Sequence, residues 1–140
     1  MSKIAVVYWS GTGNTEMMAQ QVAEGAKGAG ADVDLLTVSD FSPAKVDAYD
    51  AIAFGCPAMG AEVLEESEFQ PMWDECESSL SGKKIALFGS YGWGDGEWMR
   101  SWEESAQNAG AVLATESVTA NEEPDDEANA ACQNLGKALC

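Results

Sequence analysis

Short uninterrupted apolar runs, IAVVY, AIAFG and KIALFG among them, recur along the chain, and between them apolar residues return at every third or fourth position. A run without polar alternation suits a strand buried on both faces, and the wider spacing suits the buried stripe of a helix. The pattern predicts strands at Ile4–Tyr8, Val33–Val38, Ala51–Gly55, Lys84–Gly89 and Val112–Val118. Helix faces are predicted from Met18, Val22 and Ala26; from Phe69, Met72, Trp73, Cys76 and Leu80; from Trp98, Trp102 and Ala109; and from Ala128, Ala131, Cys132, Leu135 and Leu139. Trp73, Trp98 and Trp102 lie on these stripes and are expected in the core. Gly30, Gly82 and Gly110 stand where helices should stop. The stretch SDFSPAKVDAYD is too short for a full helix after its proline and is expected to cross over as irregular backbone or a brief turn. Strands alternating with helices, with no repeat or linker dividing the chain, describe one α/β domain whose parallel sheet is covered on both faces. In such a sheet, ligands bind at the carboxyl ends of the strands, where the winding reverses. Functional residues should therefore follow strands directly.

Three post-strand loops answer to that rule. After the first strand comes WSGTGNT, in which glycines allow a tight turn and the hydroxyls of Ser10, Thr12 and Thr15 and the amide of Asn14 stand at the start of a helix. Converging backbone N–H groups and the positive end of a helix dipole hold a phosphate there without any lysine or arginine. A Walker A loop is excluded, because Gly13 is followed by Asn14 and Thr15 rather than by Lys and Ser/Thr. A dinucleotide fingerprint is excluded as well, since Glu16 stands where the third glycine belongs. A monophosphate fits. After the third strand comes GCPAMGAE and after the fourth GSYGWGDGEW; each is rich in glycine and presents a large polarizable side chain, Met59 and Trp93, with Tyr91 nearby. Two such surfaces on the same sheet edge as a phosphate site make a slot for a planar ring with a phosphate tail. Trp9 borders the phosphate loop and could either line the site or only cover it.

With 24 acidic residues against 7 basic ones, the net charge of -17 opposes nucleic acid and anionic lipid and favours basic partners. A hydrophobic content of 46%, with five Trp, three Tyr and four Phe, supplies the core that an acidic disordered chain would lack. The four cysteines form no CxxC pair and no histidine occurs, so no zinc site is expected. Cys56 has no base nearby and reads as a packing residue rather than a nucleophile. The start MSKIAVVYW enters a strand without a signal-like segment, and no stretch reaches membrane-spanning length, so a cytoplasmic protein with reduced thiols is expected.

Taken together, SGTGNT, GCPAMG and GSYGWGDGEWM resemble the flavodoxin family, in particular its short-chain, anaerobe-type branch, and the likeness runs from the first strand through NEEPD at Asn121 to Asp125. The resemblance implies a doubly wound three-layer sandwich with a five-stranded parallel sheet in the order 2-1-3-4-5, spanning residues 1–140, and noncovalently bound FMN. It implies that Ser10, Gly11, Thr12, Gly13, Asn14 and Thr15 hold the phosphate. Met59, Gly60, Ala61 and Glu62 would form the next loop, with Met59 over one flavin face and Glu62 partnering the ring N3–H. Trp93 would cover the other face, with Ser90, Tyr91, Gly92 and Gly94 as lining. A peptide flip at Gly60–Ala61 would offer a carbonyl to the protonated N5 of a neutral semiquinone. The anionic hydroquinone would be disfavoured among so many carboxylates, making the second reduction low-potential.

The implied function is that of a one-electron carrier without substrate chemistry, monomeric, serving redox partners with basic docking patches such as ferredoxin-dependent oxidoreductases and reductases. The acidic surface serves either steering toward those patches or solubility alone. A quinone reductase of the same fold would need extra loops or subunits, and a phosphorylated receiver domain would need an aspartate where Gly55 and Cys56 stand.

Overall fold

The computed structural model describes residues 2–11, 13–59, 63–92, 94 and 96–140. The elements are β1 (Lys3–Tyr8), α1 (Asn14–Gly28), β2 (Asp32–Thr37), β3 (Ala51–Gly55), α2 (Phe69–Cys76), β4 (Lys84–Tyr91), α3 (Glu97–Asn108), β5 (Val112–Leu113), β6 (Val118–Asn121) and α4 (Asp126–Ala138). Every strand pairs in parallel, and the order β2-β1-β3-β4-β5 is the one implied by the family resemblance. Between β2 and β3 the chain makes two 3-10 turns, Val38–Asp40 and Pro43–Ala48, in place of a helix. Gly30, Gly82 and Gly110 are all left-handed, with φ of 94°, 75° and 85°, at the predicted stops.

The fifth strand departs from expectation. Instead of one run over Val112–Val118, two short strands lie along the same side of β4: Val112 and Leu113 pair with Lys84 and Ile85, and Val118–Asn121 with Phe88–Tyr91. The interruption, Ala-Thr-Glu-Ser, is polar, and it is drawn toward α3 by the Ser117 hydroxyl, which donates to Glu103 Oε2 at 2.8 Å. The break leaves the sheet five strands wide at each level. Ala109 lies one residue past the end of α3 and is only partly buried, as are Ala128 and Ala131 on α4.

The continuous apolar strands are buried as their pattern requires: β3 is buried at all five positions. Two cores result. On one face α2 and α3 cover Ile52, Phe54 and Leu87, with Phe54 and Trp73 edge to face at 5.2 Å and Trp73 and Trp102 at 5.6 Å. On the other, α1 and α4 cover Ile4, Val6 and Phe88 with Met18, Val22, Cys132 and Leu135. Trp73, Trp98 and Trp102 are at most 2% exposed, as predicted.

Candidate functional site

Because β1 lies between β2 and β3, the connections leaving β1 and β3 depart to opposite faces, and a crevice opens at their carboxyl ends. Three loops and the end of β6 converge there. Gly89 permits the convergence: a Cβ on it would stand 2.1 Å from the Cys56 carbonyl oxygen, so β4 can approach the exit of β3 only without a side chain. Cys56 N–H donates to Phe88 O at 3.1 Å, and Ala58 N–H donates to Ser90 O at 3.0 Å, extending the sheet pairing into the loop.

The loop after β1 turns through Gly13, at φ 94°, whose N–H donates to Ser10 Oγ at 3.0 Å. Helix α1 then starts with no side chain capping it, and the N–H of Met17 is the one that reaches the carbonyl of Gly13, at 3.0 Å. The N–H groups of its first turn have no partner within the helix and carry the positive end of its dipole. Thr15 is buried, and its hydroxyl accepts the Ser90 N–H at 3.4 Å, tying this loop to β4. Trp9 folds over Gly11, whose hypothetical Cβ would lie 3.0 Å from the indole ring, and the Trp9 N–H donates to Glu68 Oε1 at 3.3 Å.

In the loop after β3, Met59 and Val63 exchange backbone hydrogen bonds of 2.9 and 3.1 Å across positions 60–62. The far end is anchored by Glu65, whose carboxylate accepts the N–H groups of Ser67, Glu68 and Phe69 at 2.9, 2.7 and 2.8 Å and so starts α2. Burial raises the Glu65 pKa, but the three donors outweigh it, and the net displacement is below the ordinary carboxylate value. The Glu65 N–H in turn donates to Cys56 Sγ at 3.4 Å. Burial pushes the Cys56 thiol up to about 12, which fits the packing role read from the sequence.

β4 ends at Tyr91, whose ring lies 5.5 Å from that of Trp98, while the Trp98 N–H donates to Cys56 O at 3.2 Å. Glu122, just past β6, has φ 58°, the one left-handed non-glycine among the described residues, and its N–H donates to Tyr91 O at 2.7 Å. Such a conformation in a non-glycine residue is strained and marks functional sites.

These loops enclose a cavity of about 340 Å³, which brings together Gly11, Asn14, Met59, Ser90, Tyr91 and Gly92 of the predicted residues. Ser10 and Gly13 line an adjoining cavity of about 420 Å³, with Trp9 and Gly11 common to both. Thr15 lies beneath the loop, and Gly94 is exposed, at φ 87°, bordering neither cavity. Thr12, Gly60, Ala61, Glu62 and Trp93 lie outside the described residues. Trp9, left undecided by the sequence, lines the cavity, as do Pro57 and Ala58 of the GCPAMGAE loop and Glu122 of the NEEPD segment, none of which the sequence named individually. Glu122 directly follows β6, whereas the predicted fifth strand stopped at Val118, where β6 begins. No lysine or arginine is among the described lining residues of either cavity, and the charged ones are Glu16, Glu68 and Glu122, so attraction for an anion there comes from dipoles and hydroxyls. Among the described residues, no group of His, Cys, Asp and Glu could hold a metal ion, and no helix is long and apolar enough to cross a membrane.

Compared with known proteins, the chain matches the flavodoxin family model over residues 6–134. It is 49% identical over 134 residues to a flavodoxin of Clostridium beijerinckii, covering 96% of each chain. It is 44% identical over 135 residues to one of Megasphaera elsdenii, again covering 96% of each. The solution structure of the two-electron reduced Megasphaera elsdenii flavodoxin superposes with a TM-score of 0.90 over 97% of each chain.

Proposed function

Because the chain belongs to the flavodoxin family, we propose that its FMN lies in the cavity between the post-strand loops, phosphate inward on the start of α1 and ring toward Met59 and Tyr91. The protein is an FMN-binding, low-potential electron carrier that exchanges electrons with redox proteins and is not a substrate-converting enzyme. FMN supplies the reversible electron; what remains for the chain is to bind it, orient it and set its electrostatic surroundings.

The fit is supported by the first turn of α1, where N–H donors without a partner inside the helix meet the lining residues Ser10 and Asn14, with buried Thr15 beneath them tied to Ser90. In this reading Thr12 joins that shell, and Gly11 and Gly13 let the backbone close on the phosphate. Met59 covers one ring face and Trp93 the other. Glu62 partners the ring N3–H, Gly60 and Ala61 supply the adaptable peptide, and Ser90, Tyr91, Gly92 and Gly94 complete the wall. With no cation among the described lining residues and Glu122 at the wall, added negative charge on the cofactor is uncompensated, which favours a low potential.

Charge placement supports partners with basic docking patches, among them ferredoxin-dependent oxidoreductases and reductases. The first turns of α1, α3 and α4, which face the cavity end of the sheet, hold Glu16, Glu97, Asp126 and Glu127. Lys3 and Lys84 start β1 and β4, and Lys27 and Lys137 lie in the last turns of α1 and α4, at the opposite end. The negative pole is therefore the one that carries the cofactor, and it steers basic partners to it. We further read the chain as a single cytoplasmic domain that works as a monomer.

The observation that carries the site assignment is the convergence of the uncapped α1 start with Met59, Ser90 and Tyr91 on one cavity. Titration of the FMN-free protein with FMN and with riboflavin tests it. S10A should weaken FMN binding about tenfold while leaving riboflavin nearly unchanged, because the lost hydroxyl serves the phosphate. Equal losses for both ligands would refute the placement.

A further inference from the structure

The cavity of about 420 Å³ beside the phosphate loop is lined by two carboxylates, Glu16 and Glu68, next to Ser10, Gly11 and Gly13. A carboxylate beside an anion site repels the anion, and no lysine or arginine among the described lining residues offsets it. Glu16 lies in the first turn of α1, where the positive end of the helix dipole favours a negative charge. Glu68 stands at the N-cap of α2, but its side chain caps nothing, because the N–H groups there, its own included, are taken by the Glu65 carboxylate.

The Glu68 carboxylate is engaged across 59 positions instead: its Oε1 accepts the Trp9 N–H at 3.3 Å. Trp9 opens the phosphate loop. Its backbone N–H donates to Gly55 O at 3.0 Å, which pins it to the end of β3. Its ring lies so close to Gly11 that a Cβ there would stand 3.0 and 3.3 Å from two ring atoms. The half-buried indole is thus held between its own backbone anchor, the Gly11 backbone and Glu68. Without the bond to Glu68, rotation of the side chain can lift the ring off Gly11, and glycine has no side chain of its own to keep the loop in shape.

We propose that Glu68 is a positioning residue for phosphate binding: by accepting the Trp9 N–H it keeps the indole on Gly11 and so fixes the loop that closes on the phosphate of FMN. This role rests on the placement of FMN between the post-strand loops. Its expected sign is opposite to that of simple electrostatics. As a bare charge, Glu68 would weaken FMN binding and its removal would tighten it. As the anchor of Trp9, its removal weakens FMN binding, while glutamine, which keeps an acceptor oxygen and drops the charge, does not.

The test measures FMN and riboflavin binding to the FMN-free parent, E68L, E68Q, W9F and the W9F/E68L double variant, with nitrogen-15 spectra of the FMN-free proteins. Glu68 is exposed, so the fold tolerates both of its substitutions. The Trp9 indole resonance, identified by its loss in W9F, should move upfield in E68L and stay near its parent position in E68Q. E68L should weaken FMN about fivefold and leave riboflavin within about twofold of the parent. E68Q should bind FMN at least as tightly as the parent, and E68L should add nothing in the W9F background. A role confined to the charge at the start of α2 would instead lower stability in urea and leave the preference for FMN over riboflavin unchanged. The proposal is overturned if E68L binds FMN as tightly as the parent or tighter, if it loses both ligands alike, if E68Q behaves as E68L does, if the E68L loss persists in W9F, or if the indole resonance does not respond. S10A separates this role from the placement: a selective loss of FMN in S10A with none in E68L removes the positioning role alone, whereas equal losses of both ligands in S10A remove the placement and the role with it.

Discussion

Replacing Gly89 by alanine tests whether backbone proximity at the ends of β3 and β4 builds the site. The new Cβ would stand 2.1 Å from the Cys56 carbonyl oxygen and 3.3 Å from the Trp98 ring. Reaching an ordinary van der Waals separation of about 3.5 Å requires the two backbones to part by more than an ångström. The Cys56 N–H to Phe88 O bond, at 3.1 Å, and the Trp98 N–H to Cys56 O bond, at 3.2 Å, both lie across the widened gap. Two such bonds are worth about 1 kcal/mol each. Overpacking adds roughly 1–3 kcal/mol. The total is about 3–5 kcal/mol, a large share of the roughly 5–15 kcal/mol that holds a domain folded. Urea unfolding, followed by tryptophan fluorescence, should show this loss in the FMN-free protein. FMN affinity should fall about tenfold or more, because Cys56 and Ser90 lead into two of the loops that line the cavity. G28A is the control: nothing lies within 4 Å of its hypothetical Cβ, and in a helix it should be neutral or stabilising by up to about 1 kcal/mol. If G89A stays within about 1 kcal/mol of the parent with FMN affinity unchanged, the account of how the loops converge is wrong.

Other expectations follow from individual contacts. Glu65 has its folded pKa lowered, so its contribution is fully present above the unfolded carboxylate value of about 4.3 and is lost as pH falls through the folded value. E65Q should therefore lower stability at pH 7 by about 2 kcal/mol and flatten the acid limb of stability against pH; an unchanged limb in urea unfolding would contradict the capping role. G136A places a Cβ 2.1 Å from the Val22 carbonyl, where α1 and α4 touch, and should cost about 2–3 kcal/mol of stability without altering the redox potentials of bound FMN. With an aromatic disulfide reagent, exposed Cys140 should react at once, while Cys56, Cys76 and Cys132, buried with thiols pushed up to about 12, 11 and 12, should react only on unfolding. Electron transfer to a partner with a basic surface should slow severalfold between low and physiological salt in stopped-flow traces, whereas a salt-independent rate would leave the acidic surface to solubility alone.

Much of the architecture was legible because it is encoded locally. An apolar run such as AIAFG has no polar face to offer solvent and must be covered on both sides, and β3 is buried throughout. The turn after β1 was legible for a similar reason: glycines at a strand-to-helix junction specify their own backbone geometry, and Gly13 adopts it. The fifth strand was misjudged where local pattern and tertiary pairing disagree. VLATESV carries β-branched residues at both ends, but its polar centre finds a partner on α3 rather than on β4. Glu65 went unnoticed because its role depends on a buried carboxylate folding back onto the three N–H groups that follow it, not on a residue type usual at helix starts.

By itself the sequence determined the alternation of strands and helices, the identity of the core tryptophans and the glycine turn that leads from β1 into α1, since each follows from spacing and side-chain chemistry within a few neighbouring residues. Tertiary structure alone decided which distant residues share a wall. Glu122 reaches the cavity because β6 pairs with β4 in the register that sets Asn121 beside Tyr91. Trp9 closes over Gly11 because Glu68, 59 positions away, accepts its N–H. Such placements depend on register and close approach between separate elements, and no local pattern along the chain records them.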